Sequence, residues 1–155
     1  MKNKNQYQQD YEKSRAKEFQ VENLLQTKYN LLTETTDDKV YHPWWDISST
    51  STTHNNRIIK WEVKYNSNYQ VDSVVIEACK IVDECKIPSG LSITEADYYI
   101  LCFEDDSNFY AIKVEKLKEL VANFKHIKKH VGYDKNNYQL QIFPKAYLLQ
   151  FAITL

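Results

Sequence analysis

The stretch Arg57-Ile-Ile-Lys-Trp-Glu-Val-Lys-Tyr65 alternates apolar and charged residues with a period of two, the pattern of a β-strand with one face turned into a core. Ile59, Trp61, Val63 and Tyr65 then share one face, and Lys60, Glu62 and Lys64 share the other. Glu62 and Lys64 project together, about 6.6 Å apart at Cα. Two flanking runs, 40–48 and 73–79, are also rich in β-branched and aromatic residues and are bounded by Ser, Thr and Asn clusters. The three runs predict successive strands of an antiparallel meander. In the first of them Trp45 and Ile47 point one way while Trp44, Asp46 and Ser48 point the other, so if the first two strands pair, Asp46 can face Glu62.

Outside this centre, Val21, Leu24, Leu25 and Leu32 recur at three- and four-residue steps and predict a helix over 8–32, ended by the polar run that follows. Pro88-Ser-Gly90 reads as a turn and Thr94-Glu-Ala-Asp97 as a short helical or turn element. Residues 98–104 form a strand apolar enough to be buried on both faces, and 109–114 a further strand. Leu117, Leu120, Val121, Phe124 and Ile127 predict a helix from Glu115 to about His130, stopped by Gly132. A strand over 138–143 follows, then a short helix or last strand after Pro144. No repeat or composition break divides the 155 residues, so the expectation is one α/β domain over 1–155.

Composition narrows the function. Two glycines, Gly90 and Gly132, are too few for a Gly-rich phosphate loop. Cys79, Cys85 and Cys102 are an odd number without Cys-x-x-Cys spacing, which argues against a disulfide framework or a zinc knuckle. The N-terminal run lacks the apolar stretch of a secretion signal, and no segment has the apolar length of a membrane span, so the sequence predicts an intracellular, non-membrane protein. The net charge of −1 hides a segregation: residues 33–109 carry 14 acidic and 6 basic groups, and residues 110–135 carry 7 basic and 3 acidic. Acid beside base suits a cation site next to a surface for a polyanion. Equally, it describes a solvated helix face beside acidic loops. Trp44, Trp45 and the twelve tyrosines read as packing residues rather than base-stacking platforms.

Two carboxylates from neighbouring strands, Asp46 and Glu62, with a backbone carbonyl between them, offer the hard oxygen donors that octahedral Mg²⁺ takes, and Lys64 stands beside them. The other reading is a cross-strand ion pair on an exposed sheet face. Glu77, in the uncharged run Ser73-Val-Val-Ile-Glu-Ala-Cys79, is either a buried carboxylate in need of a partner such as a metal or an edge residue facing solvent. Glu18 falls in line with Val21 and Leu25, with Glu22 nearer the flank of the same helix.

In order along the chain, Trp45-Asp46-Ile47, Trp61-Glu62-Val63-Lys64, Val75-Ile76-Glu77, Pro88-Ser89-Gly90-Leu91 and Thr94-Glu95-Ala96-Asp97-Tyr98-Tyr99 resemble the PD-(D/E)XK nuclease superfamily, in particular a phage and viral branch of endonucleases and resolvases. Val131-Gly132-Tyr-Asp134 and Ile142-Phe143-Pro144 resemble that group's closing segment. The resemblance covers about 18–145. Pro43 stands three residues before the Asp instead of next to it, and the stretch before Glu77 lacks a Thr-x-Asn.

The resemblance implies a restriction-endonuclease-like αβββαβ core, with a central mixed sheet flanked by helices. It also implies Mg²⁺-dependent hydrolysis of DNA, with Mn²⁺ as a substitute. Asp46, Glu62 and the Val63 carbonyl would be metal ligands, and Glu77 would match the Glu of the third strand. Lys64 would orient the attacking water, and Glu18, or Glu22 in its place, would supply a helix carboxylate. Ser89 and Thr94 would touch DNA phosphates, although a turn Ser and a helix-capping Thr explain them equally well, and a homodimer would place two sites for paired cuts. Beside the resemblance, Lys125, Lys128 and Lys129 in the basic segment are candidates for backbone affinity. The alternative is a nuclease-fold module that binds nucleic acid or a protein without cleaving.

Overall fold

The computed structural model describes residues 4–36, 44–51, 55–66, 72–123, 127–133 and 136–155. Helix α1 (Lys4–Tyr29) opens the chain. The strands that follow are β1 (Leu31–Thr35), β2 (Ile47–Ser51), β3 (Ile58–Asn66), β4 (Ser73–Val82) and β5 (Cys85–Pro88), and a 3-10 turn (Gly90–Ser92) comes next. Then come β6 (Tyr98–Phe103), β7 (Phe109–Lys113), α2 (Val114–Asn123), β8 (Ile127–Tyr133), β9 (Asn136–Pro144), α3 (Lys145–Leu149) and β10 (Ile153–Thr154). The molecule is α/β. A mixed six-stranded sheet runs β1-β2-β3-β6-β7-β10, parallel between β3 and β6 and antiparallel elsewhere. An antiparallel four-stranded sheet runs β5-β4-β9-β8.

The core lies on both faces of the mixed sheet. On one, α1 lays Val21 and Leu25 against Ile47, Trp61, Val63, Ile100, Cys102, Phe109 and Ala111. On the other, Tyr99, Leu101, Phe103 and Ile112 pack with Val74, Ile76 and Phe143 of the second sheet, with Leu117 and Leu120 of α2, and with Leu148 of α3. Strand β6 thus buries alternate residues in both clusters, as its continuous apolar run requires. The stretch 57–65 behaves as its alternation demands, with Trp61 and Val63 under α1 and Glu62 on the far face beside Tyr99.

Several expected elements are corrected. The first helix stops before Leu32: Asn30 takes the left-handed conformation (φ 52) that Asn tolerates at a helix end, and the chain leaves as β1. Only the first two strands of the expected meander pair with each other. The third, β4, joins the second sheet, and β3 takes β6 as its other neighbour. A strand apolar on both faces belongs in the middle of a sheet covered on both sides, whereas β4 buries only the Val74 and Ile76 face. The expected helix over 115–130 ends at Asn123, and Lys128, Lys129 and His130 lie in β8. Strand β5 was not foreseen; its hairpin with β4 turns through Asp83 (φ 48) and Glu84 (φ 64), the two left-handed residues that a tight two-residue hairpin needs. Residues 40–43 of the first expected strand, Phe124 of the expected helix, Lys125, His126 and Asp134 lie outside the described residues. No described helix is long and apolar enough to cross a membrane.

Candidate functional site

The site forms where β2 runs out against β3. The ladder between them ends at Ile47↔Trp61, and Asp46 continues it with its own groups. Its N–H donates to the Trp61 carbonyl (2.9 Å), and its Oδ2 accepts from the Val63 N–H (2.6 Å), so a side chain makes the bond that the next strand residue would have made. Because a strand residue presents its N–H and C=O to the same edge, the Val63 carbonyl points to this edge too. Asp46 is held in place from behind: its carbonyl accepts from the Thr36 N–H (3.0 Å). Two residues earlier, the Trp44 carbonyl accepts from the Thr94 hydroxyl (2.7 Å) and the Glu95 N–H (3.0 Å).

Glu62 is paired in register with Tyr99 across the parallel ladder. It is 7% exposed, and Tyr99 is 1% exposed. The Lys64 ammonium reaches back along the strand to 2.5 Å from Glu62 Oε1, with the lysine side chain 40% exposed, and lies 5.8 Å from the centroid of the Tyr99 ring. Burial holds the Glu62 carboxyl above its ordinary pKa, Asp46 and Glu77 push it further up, and Lys64 opposes them. Burial lowers the Lys64 pKa, but Glu62, Tyr99 and Asp46 outweigh it and the ammonium is held above its usual range. Tyr99 is raised by burial and by the charges of Glu62, Glu77 and Asp46, against Lys64. Asp46, Glu62, Lys64, Glu77 and Tyr99 therefore form one electrostatic cluster, with Glu77 contributed by the second sheet.

Other sequence candidates fall elsewhere. Glu18 pairs with Arg15 on α1 and acts on Cys102, whose thiol is pushed up to about 12 by burial, with Glu18 adding and Lys17 opposing. Both belong to the face that α1 covers, so the sheet separates Glu18 from the Glu62 cluster and the expected helix carboxylate is not brought to it. Glu22 does not replace it, since it accepts the Thr33 hydroxyl at 2.9 Å. Thr94 is buried and its hydroxyl faces inward to Trp44; it straps the approach to Asp46 where a phosphate contact was expected. Ser89 donates its hydroxyl to Glu77 Oε1 (2.6 Å). Lys128 and Lys129 sit on β8, an edge strand of the second sheet, and Lys125 lies outside the described residues.

No family model, curated protein or solved structure matches the chain.

Two participants carried no role in the sequence reading. Tyr99 could have been found by extending the alternation of its strand, which sets it on the Leu101 and Phe103 face. Asp97 fixes the start of β3, its Oδ2 accepting from the Lys60 N–H and its own N–H donating to the Lys60 carbonyl, both at 2.8 Å; nothing in the local sequence announces that bond. Among the described residues no group of three or more His, Cys, Asp or Glu side chains is drawn together as a ready cation cage. In donor chemistry the site nonetheless suits a hard divalent cation, since the carboxylates of Asp46, Glu62 and Glu77 and the Val63 carbonyl are all oxygen donors. Burial raises Glu62 first, repulsion from Asp46 and Glu77 adds to it, and a bound cation would favour the ionised carboxylate against both.

Proposed function

We propose that the protein is a Mg²⁺-dependent DNA endonuclease of the PD-(D/E)XK type, in the style of phage and viral enzymes of DNA recombination, repair or degradation. The observation that carries this reading is the meeting of Asp46, Glu62 and Lys64 at the Val63 edge of β3, with the Asp46 carboxylate bonded to Val63 and the Lys64 ammonium on Glu62. Asp46 comes from the segment leading into β2, and Glu62 and Lys64 from β3, in the order of the motif they resemble. The reading also takes the fold as a variant of the restriction-endonuclease-like core, in which the third strand has moved into a second sheet and a 3-10 turn stands where a helix is expected.

Asp46, Glu62 and the Val63 carbonyl would hold Mg²⁺, or Mn²⁺ in its place, with Glu77 alongside. Such an ion supplies charge neutralisation at the phosphate and polarises water. In hydrolysis a water oxygen bonds to phosphorus, the bridging P–O bond breaks, and the departing oxygen takes a proton. The Lys64 ammonium aligns that water and offsets charge in the transition state. The β8 lysines Lys128 and Lys129, with Lys125 next to them in sequence, hold the DNA backbone, which favours recognition of DNA form over a long base sequence. A homodimer would present two sites for paired cuts.

A second reading, a nuclease-fold module that binds nucleic acid or a protein without cutting, draws on the same ion pair, because Lys64 already satisfies Glu62 without a cation. Incubating the full chain with labelled linear, nicked, flapped and four-way DNA in Mg²⁺, Mn²⁺ or EDTA separates them. Metal-dependent cleavage is expected. Retention of DNA without cleavage in either metal would select the binding module.

A further inference from the structure

The turn Pro88-Ser89-Gly90-Leu91, prominent in sequence and given no part in the chemistry above, lies directly on Glu77. A Cβ at Gly90 would come within 2.5 Å of the Glu77 carbonyl oxygen, closer than a side chain tolerates, and 3.0 Å from the Glu77 Cβ, and Gly90 also takes a left-handed φ of +51°. Glycine is thus required twice at this point, and the contact it permits is with Glu77. The turn is tied shut locally: Ser92 Oγ accepts from the Ser89 N–H and donates to the Ser89 carbonyl, both at 2.8 Å. Leu91 is buried in the core beside Ile76 and Tyr99, which fixes the turn's depth. Immediately after Glu77 the β4–β9 register slips, so the strand is bent at that residue. From this turn the Ser89 hydroxyl donates to Glu77 Oε1 at 2.6 Å.

We propose that Ser89 is a positioning residue that fixes the Glu77 carboxylate as the outer arm of the metal site, with Gly90 allowing the turn to reach it. This rests on the nuclease reading, and it gives the turn a role distinct from contact with DNA. A hydroxyl bonded to one carboxylate oxygen leaves a ligand's rotamer set and its remaining lone pairs available, since a carboxylate accepts at about four positions. Partners of this kind change metal affinity by about 10- to 100-fold when removed. The Ser89 hydroxyl is spent on Glu77, so a phosphate would have to break that bond before Ser89 could touch it.

The test uses the full chain and three variants, Ser89→Ala, Ser89→Thr and Glu77→Gln. Calorimetry reads Mn²⁺ and Mg²⁺ affinity without DNA, and a separate titration reads DNA affinity in EDTA. Ser89→Ala should weaken metal binding about tenfold and leave DNA affinity in EDTA and the melting temperature near wild type. Ser89→Thr, which keeps the hydroxyl at an extended backbone position, should restore the metal affinity. In the Glu77→Gln background Ser89→Ala should add nothing further. Wild-type metal affinity in Ser89→Ala would overturn the assignment, as would a loss of DNA affinity in EDTA with metal binding intact, which would make Ser89 a DNA contact. A wild-type protein that binds neither ion would overturn the nuclease reading and this assignment together, and is thereby distinguishable from failure of the assignment alone.

Discussion

Trp61 and Glu62 are adjacent on β3 and almost equally buried, at 6% and 7% exposure, yet their surroundings are opposite. Trp61 meets Val21, Leu25 and Ile100 under α1, stacks on Tyr98 with ring centroids 5.0 Å apart, and gives its indole N–H to Ser49 Oγ at 2.7 Å. Every group there is either apolar or satisfied. Glu62 lies across the sheet among Asp46, Glu77, Lys64 and Tyr99, with its carboxyl held above the ordinary range. Removing charges from water is seldom recovered by pairing them, and an apolar pair of similar volume is commonly as stable or more so. Stability accounts for the first face and not for the second, and a pair of groups that stability does not explain is where chemistry is to be sought.

The contrast can be broken from either side. The largest effect is expected from Trp61→Ala, which empties the α1 face: about 3–5 kcal/mol lost, from a total that is typically about 5–15 kcal/mol, read as a drop in denaturation midpoint. A change under 1 kcal/mol, on the scale of a conservative core swap, would show that α1 does not rest on Trp61. Next comes Lys64→Met on the other face, which keeps the stem and removes the ammonium. Single-turnover cleavage per folded molecule should slow by about 10²- to 10³-fold, the midpoint should fall because the buried Glu62 carboxylate loses its partner, and metal affinity should be kept or raised because Glu62 is released. Full cleavage activity in this variant would sink the site as drawn.

Smaller effects sharpen the comparison. Ser49→Ala orphans the buried Trp61 indole N–H and should cost about 1–3 kcal/mol, with DNA cleavage unchanged per folded molecule; an unchanged midpoint would mean another group accepts the indole. The smallest is the pH dependence of Glu62→Gln. Because the Glu62 pKa is raised on folding, the native state holds its proton more tightly than the unfolded chain. Its contribution is therefore full below the unfolded Glu value and declines as pH rises from there through the raised native value. Chemical denaturation across that range should show a steeper fall in wild type than in Glu62→Gln, and parallel curves would mean that Glu62 titrates normally.

What the sequence discloses follows from how local each determinant is. Alternation in 57–65 assigns Trp61 and Glu62 to opposite faces, because the side-chain period of a strand is a property of the strand alone. It also lets Asp46 face Glu62, and the observed register of Ile47 with Trp61 sets the two opposite each other. Which strand lies on the second edge of β3 is not local: β4 follows it in sequence, but β6 takes the place because it is apolar on both sides. Glu18 shares the Val21 and Leu25 stripe, and that stripe is what carries it to the wrong side of the sheet for the cluster. Ser89 and Thr94 read as surface hydroxyls because their acceptors, Glu77 and the Trp44 carbonyl, come from distant segments. Short β1 and β5 escaped because their starts depend on left-handed Asn30, Asp83 and Glu84, none of which is a Gly or Pro, and β8 because it depends on its neighbour β9.

The parallel pairing of β3 with β6 has a bearing on synthesis. A strand can meet its parallel neighbour only after the chain has travelled back to the same end of the sheet, and here that excursion consists of β4, β5 and the Ser89 turn. Strand β4 is itself unpaired on its inner edge until β9 emerges, with all of β5 to β8 between them. Glu62 and Lys64 are thus made before Tyr99, which is buried beside Glu62, and before β9, which pairs the strand carrying Glu77, and closing such long loops is slow. A nascent chain stopped short of β9 should carry the motif in full and still be inert. The order of synthesis would then delay any activity of the site until β9 has emerged.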